Sequence, residues 1–222
     1  MGDATYDSKA SAYFANQRQE MLPFIPAKAK RMLEVGCGTA GFAAHLKSLR
    51  AIHVTGIEAF AAAAETARTR IDRVITASIE DAMPQIAGEK FDCIVMNDVL
   101  EHLVDPWAVL RQLRGFLAPE GVFVASIPNM RYMPVFKEYV LGASWRYAEF
   151  GVLDKTHLRF FTRSTMRELF ESSGYSLVSI EGINGIEFTW KFRLLNALMR
   201  DALQDTRFIQ FACVARANNE RA

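Results

Sequence analysis

Residues 34–41 read EVGCGTAG, that is Glu34-Val35-Gly36-Cys37-Gly38-Thr39-Ala40-Gly41. Gly36, Gly38 and Gly41 fit the G-x-G-x-x-G spacing of a nucleotide-binding turn. Upstream, Arg31–Val35 (RMLEV) is a short apolar strand; downstream, Ala40–Arg50 (AGFAAHLKSLR) repeats apolar residues at helical spacing. A glycine turn between strand and helix lets a ligand approach the backbone, and the helix start offers free N–H groups to an anion. Read alone, the spacing suits NAD or FAD. Glu34 argues against that, because a carboxylate is a poor neighbour for a pyrophosphate and a good one for an ammonium. An anion at the helix start and a cation at Glu34 together match an amino acid. Glu58, at the end of the next strand (IHVTGI, 52–57), is placed to accept both hydroxyls of a ribose.

Outward from this turn, strand and helix patterns alternate. Ala61–Ile71 is rich in helix formers, Arg73–Thr76 is a short strand, and Phe91–Met96 (FDCIVM) is a continuous apolar strand suited to the centre of a parallel sheet. Asp105-Pro106 supplies a cap and a first-turn proline for the next helix, Pro119-Glu120-Gly121 reads as a turn, and Gly121–Ile127 as a fifth strand. The alternation predicts an α/β doubly wound parallel sheet. The C-terminal part departs from it. A helix over Ser164–Ser173, with Ser164 as cap, leads to strands at Tyr175–Ile180 and Ile209–Ala215, separated by a helix near Lys191–Leu203. The last two strands are expected to pair antiparallel. A dinucleotide fold would need a second mononucleotide half with more parallel strands, so this ending also favours a single-nucleoside ligand.

With 222 residues, 50% hydrophobic and 23% charged, the chain suits one domain, 1–222, with a substantial core. A net charge of +1 gives no electrostatic case for nucleic acid. Cys37, Cys93 and Cys213 are far apart, so no disulfide framework and no zinc site, nor any other metal, is expected. The N-terminus lacks the apolar stretch of a signal peptide, and no run is long enough to span a membrane. These features lead us to expect a cytoplasmic protein acting on a small molecule.

The segments LEVGCGTAGF (33–42), VTGIE (54–58), ITASIEDAMP (75–84), FDCIVMNDVLEHLVDP (91–106) and LAPEGVFVASIPN (117–129) follow one another at a spacing that resembles the class I methyltransferases using S-adenosylmethionine (SAM). The resemblance covers about half the chain. It implies a Rossmann-like, mostly parallel seven-stranded sheet with the last strand inserted antiparallel beside the fifth. It also implies that Glu34, Gly36, Cys37 and Gly38 line the methionine end of SAM and that Glu58 binds ribose. Ser78, Ile79 and Glu80 would face adenine, and Asn97 and Val99 would flank the sulfonium, with His102 nearby. Many members have Asp where this chain has Ser78, so a charged acceptor for the adenine amino group is lost here.

Two further stretches, YFANQRQEMLPFIP (13–26) and GVLDKTHLRFFTRSTMRELFESSGY (151–175), with SIPN before the second, resemble methyltransferases associated with bacterial surface-polysaccharide and O-antigen biosynthesis. That implies a sugar-like hydroxyl as acceptor. A quinone, phenol or polyketide-like acceptor is the alternative, and a SAM-binding module without catalysis is another. Residues 1–30 are expected to form a helical cap, with Tyr13 and Arg18 closing over the site, and 128–163 to form a lid or substrate region. Asn129, in SIPN, is assigned to the substrate. A hydroxyl is a poor nucleophile and benefits from a general base, for which His157 is the candidate. Asp154 could orient it and Arg159 could hold an anionic group on the acceptor. Each also has a structural reading: His157 as a residue packed under its loop, Asp154 as a turn cap, Arg159 as its ion-pair partner.

Overall fold

The computed structural model describes residues 17–218. Tyr13 and residues 1–16 of the expected cap lie outside them; the described part of the cap contains a short 3-10 helix, Gln19–Phe24, anchored by buried Met21.

Seven strands make one sheet: β1 (Arg31–Val35), β2 (His53–Glu58), β3 (Arg73–Thr76), β4 (Phe91–Asn97), β5 (Leu117–Pro128), β6 (Tyr175–Gly185) and β7 (Phe208–Ala217). Their order is β3-β2-β1-β4-β5-β7-β6. The first five run parallel, and β7 lies antiparallel between β5 and β6. The order reverses between β1 and β4, and ligands of open α/β sheets bind at such a switch point, beyond the carboxyl ends of the strands.

Seven α-helices are described: α1 (Gly41–Leu49), α2 (Ala61–Ala67), α3 (Ile79–Ala82), α4 (Pro106–Leu113), α5 (Met133–Leu141), α6 (Arg163–Ser172) and α7 (Trp190–Leu198). Alternation along the central strand explains the two layers. Ile94 and Met96 of β4 face a core shared with α4 and α6, whereas Cys93 and Val95 face a second core shared with α1. Asp105 caps α4 by accepting from Ala108 N at 2.9 Å, with Pro106 in the first turn, as the sequence predicts.

The structure corrects several boundaries. Helix α6 is capped by Thr162, not Ser164; the Thr162 hydroxyl accepts from Thr165 N while the Thr165 hydroxyl accepts from Thr162 N. The expected turn at Pro119-Glu120-Gly121 is absorbed into β5 as an irregularity, where Ala118 to Gly121 stand against Asp92 alone. Strand β6 continues past Ile180 to Gly185 because β7 offers partners that far. Region 128–163 is not irregular throughout: it carries α5, and its two ends are tied by Met130 N donating to Phe161 O at 2.8 Å. No helix among the described residues is long and apolar enough to cross a membrane.

Candidate active site

The glycine turn is held by β2. Gly36 N and Cys37 N donate to Ile57 O at 2.8 and 3.1 Å, which folds the chain back over the strand end. Gly36 sits at φ +69°, and a Cβ there would come within 2.6 Å of Val99 Cγ2, so the position needs glycine twice over. Gly38 N donates to Glu58 Oε2 at 2.7 Å, and Phe60 N to Glu58 Oε1 at 2.9 Å. Glu58 therefore spans the turn and the end of its own strand.

A cavity of about 400 Å³ opens where β1 and β4 diverge. Every residue expected to hold the cofactor lines it: Glu34, Gly36, Cys37 and Gly38 at one part, Glu58, then Ser78, Ile79 and Glu80, and finally Asn97, Val99 and His102. Arg18 lines it as well.

The cavity's electrostatics follow from burial. Glu34 is only 3% exposed. Burial first, and then the Glu58 carboxylate, push its acid up to about 8, against a smaller opposing effect of the Ala43 N–H. Its Oε2 is buried and finds no hydrogen-bond partner among the described residues. Glu58 is also raised by burial, opposed by the N–H groups of Phe60, Gly38 and Ala59. Burial pushes the Cys37 thiol up, so it serves as a small side chain rather than a nucleophile. Both polar atoms of the Asn97 amide are buried without a partner among the described residues. An acid, an amide and a row of backbone N–H groups thus converge on one space.

Ser78 has a structural task. Its hydroxyl caps α3, accepting from Asp81 N at 3.1 Å and donating to Asp81 Oδ2 at 2.8 Å. One lone pair is left for a ligand, and no hydrogen to donate.

Arg18 is buried, at 8% exposure. It donates to Asp98 and, at 2.8 Å, to Ser126 Oγ, and its Nε lies 2.8 Å from Glu20. Asp98, at φ +55°, also accepts from Ser126 Oγ at 3.0 Å and Gln210 Nε2 at 2.6 Å. This network joins the cap to β4, β5 and β7 beneath the mouth of the cavity. Sequence reasoning missed Asp98 and Glu101, although both stand in the NDVLEH motif.

The acceptor-side candidates separate. His157 is buried and stacks edge-on against His102, ring centroids 4.7 Å apart. Its Nδ1 lies 3.0 Å from Val152 O and its Nε2 3.9 Å from Glu101 Oε1. A backbone carbonyl thus faces one ring nitrogen, and the Glu101 carboxylate lies near the other. Asp154 Oδ1 accepts from Thr156 N at 2.8 Å and Thr156 Oγ1 at 2.6 Å, shaping the turn before His157. Arg159 donates to Val104 O, pinning the chain just after Glu101 and His102. Asn129 is fully buried, donates to Asp205 O and Phe208 O at 2.9 and 3.0 Å, and accepts from Arg131 N at 3.0 Å. Its side chain is committed to the backbone and does not line the cavity, a correction to its assignment as a substrate contact. Glu101, His102 and His157 bring one side-chain nitrogen or oxygen each to within 4.8 Å of one another.

Fold and cavity together define a class I SAM-dependent methyltransferase. The chain belongs to the methyltransferase-domain family, whose model matches residues 6–180. Among curated relatives, a ubiquinone biosynthesis O-methyltransferase of Cereibacter sphaeroides is 28% identical over 174 residues, covering 75% of this chain and 69% of that protein. The O-methyltransferase cnsE of Penicillium expansum is 30% identical over 174 residues, covering 68% of this chain and 63% of that one. A SAM-dependent methyltransferase of Archaeoglobus fulgidus shares the fold with a TM-score of 0.69 at 15% identity, covering 93% of this chain and 94% of that one.

Proposed function

We propose that the protein transfers the methyl group of SAM to a hydroxyl oxygen of a flat aromatic small molecule, a phenol or catechol. The observation that carries this is a run of rings leading out from the cavity. His102 lines the cavity and packs on His157; Phe160 follows at 6.3 Å from His157, and Trp145 at 5.5 Å from Phe160. Trp145 is 40% exposed, so the run reaches solvent. The names of the two curated relatives support oxygen as the methylated atom, and the first supports a quinone-related ring.

In this reading, Glu34 pairs with the α-ammonium of SAM and the N–H groups opening α1 receive its carboxylate. Glu58 accepts the ribose hydroxyls, and Ser78, Ile79 and Glu80 border adenine. Asn97 and Val99 flank the sulfonium. In-line displacement then requires the acceptor oxygen to lie opposite sulfur, near His102. Losing its proton makes that oxygen a nucleophile, and His157 belongs to the group that accomplishes this. The expected effect of His157→Ala is a fall in kcat of about a hundredfold or more. Binding of S-adenosylhomocysteine is expected to change little, and unchanged turnover would remove His157 from the mechanism.

The competing acceptor is the sugar hydroxyl implied by the resemblance of residues 151–175. A screen with labelled SAM against catechols, simple phenols and nucleotide sugars separates the two. Label is expected in the catechol or phenol arm; transfer confined to the sugars would overturn the aromatic reading.

A further inference from the structure

We propose that helix α7, with the neighbouring α5, docks the protein on the headgroup surface of an anionic bilayer. The proposal goes beyond methyl transfer and holds whichever acceptor is methylated.

Helix α7 is built inside out. Within WKFRLLNAL (190–198) the one buried residue is Asn196, at 3% exposure. Its Nδ2 donates to Asp201 Oδ1 at 3.0 Å and to Gln204 Oε1 at 3.2 Å, and its Oδ1 accepts from Leu203 N at 2.8 Å. The helix is thus fastened by its polar side. Trp190, Leu194 and Leu198, spaced by four, make a ridge on the opposite side and are 71%, 58% and 76% exposed. Leu195 and Met199, also spaced by four, run beside that ridge and are exposed too. An ordinary surface helix turns such a stripe to the core. Single exposed apolar residues are common, but a contiguous set marks an interaction surface.

Helix α5 repeats the pattern. None of its residues is buried, and Phe136, Tyr139, Val140 and Leu141 are exposed. Both helices border the short 3-10 helix Gln204–Arg207, against which α5 packs. Arg131, just before α5, donates to Ala202 O at 2.7 Å and pairs with Asp205 at 3.4 Å. Tyr139 packs edge-on against Trp145, ring centroids 5.7 Å apart, so this surface adjoins the run of rings that leads out from the cavity.

Charge selects the occupant. Lys191 lies within the α7 stripe, three and four residues before Leu194 and Leu195. Arg193 and Arg200 flank the stripe, and α7 carries no acid. Nearby Glu187 is shared between Arg193, at 3.1 Å, and Arg207, at 3.0 Å, which leaves the surface net positive. On α5, Lys137 and Glu138 balance, so the excess belongs to α7. A second copy of the chain apposed on this stripe would bury Lys191 against α7's own residues, with no acid on the helix to meet it. A bilayer surface demands no such pairing. The Lys191 stem lies along apolar surface while its ammonium reaches lipid phosphate, and Trp190, whose ring is 5.7 Å from Lys191 Nζ, sits at the headgroup level. Apolar side chains flanked by Lys and Arg are the pattern of a helix that lies in an anionic interface. At nine residues α7 is too short to span one.

The test is sedimentation of the full chain with vesicles of phosphatidylcholine alone and of phosphatidylcholine mixed with phosphatidylglycerol. Partition is expected to be at least about tenfold stronger with phosphatidylglycerol and to weaken as salt rises. The double variant Leu194→Glu, Leu198→Glu should lower it at least about tenfold, and Lys191→Glu about fivefold or more. Thermal unfolding of both variants should match the wild type, because the replaced side chains are exposed. Wild-type chain that stays in the supernatant with both kinds of vesicle would overturn the proposal, as would variants that sediment like the wild type. A wild-type dimer in sedimentation velocity that the double variant dissociates would give the face to a second copy and also overturn it. Methyl transfer enters none of these readouts, so failure of the methyl-transfer reading would leave them unchanged.

Discussion

The two ends of the cavity are built in different ways. At the cofactor end, the groups facing the ligand come from the turn and strand ends of β1, β2 and β4, and much of the contact surface is backbone. Gly36, Gly38 and the opening of α1 sit there because strand register puts them there, and Glu58 holds the turn in place. At the proposed acceptor end, the groups are side chains from distant segments. Arg18 reaches Asp98, and His157 reaches Glu101, across long stretches of chain. A backbone-built site tolerates exchange of many neighbouring side chains. A site built from side chains depends on each member and can change its acceptor with few substitutions.

The largest expected effect lies at the cofactor end. On the proposed reading, Glu58→Ala removes a charged acceptor from ribose as well as from Gly38 N, and at about 3 kcal/mol should weaken S-adenosylhomocysteine binding by more than a hundredfold. Calorimetry checks this, and a loss under fivefold would mean that Glu58 only braces the turn. Gly36→Ala should follow. Its Cβ would meet Val99 at 2.6 Å, and a positive φ costs a non-glycine residue about 1–3 kcal/mol. Urea unfolding should show that loss of stability, together with weakened cofactor binding.

Glu34 gives a pH signature. Its acid is raised from 4.5 to about 8 in the free protein, so the folded chain holds a proton that the unfolded chain releases near 4.5. Its contribution to stability is therefore complete below about pH 4.5 and is lost as pH rises toward 8. Glu34→Gln abolishes this dependence, so the melting temperature of the variant relative to wild type should increase between pH 5 and pH 8. An ammonium beside Glu34 favours the carboxylate, so SAM binding should expel a proton and tighten between pH 6 and 7.5. Titrations in buffers of different ionisation heat measure that proton, and its absence would separate Glu34 from the ammonium.

The smallest effect sharpens the comparison. Ser78→Ala removes the α3 cap, a loss of about 1 kcal/mol. If Ser78 only caps, the free and S-adenosylhomocysteine-bound proteins lose equally in thermal unfolding; an adenine contact makes the bound form lose more.

This difference in construction also decides what the sequence reveals. Strands β1 and β3 are readable to the residue because short apolar runs are bounded by turn signals. Glu34, Gly36 and Glu58 stand at fixed distances from strand ends, so their convergence is implied once the strands are recognised. The partnership of Glu101 with His157 carries no local signal. It arises when the loop before α6 folds back on the turn after β4, and no periodicity encodes that approach. Asp154 is near His157 in sequence, and nothing local reveals that its carboxylate also shapes the turn by accepting from Thr156. Asn129 looked exposed to ligand because it follows a strand end, but the antiparallel β7 and the turn before it bring backbone carbonyls to its amide. Ser164 was one hydroxyl too far along, since Thr162 can form a reciprocal cap and Ser164 cannot.

The central claim is that EVGCGTAG and its surroundings hold SAM rather than a dinucleotide. Parallel calorimetric titrations of the full chain with S-adenosylhomocysteine and with NAD test it most directly. The account predicts saturable one-to-one binding of S-adenosylhomocysteine and no heat of binding for NAD. Saturable binding of NAD with none for S-adenosylhomocysteine would contradict it.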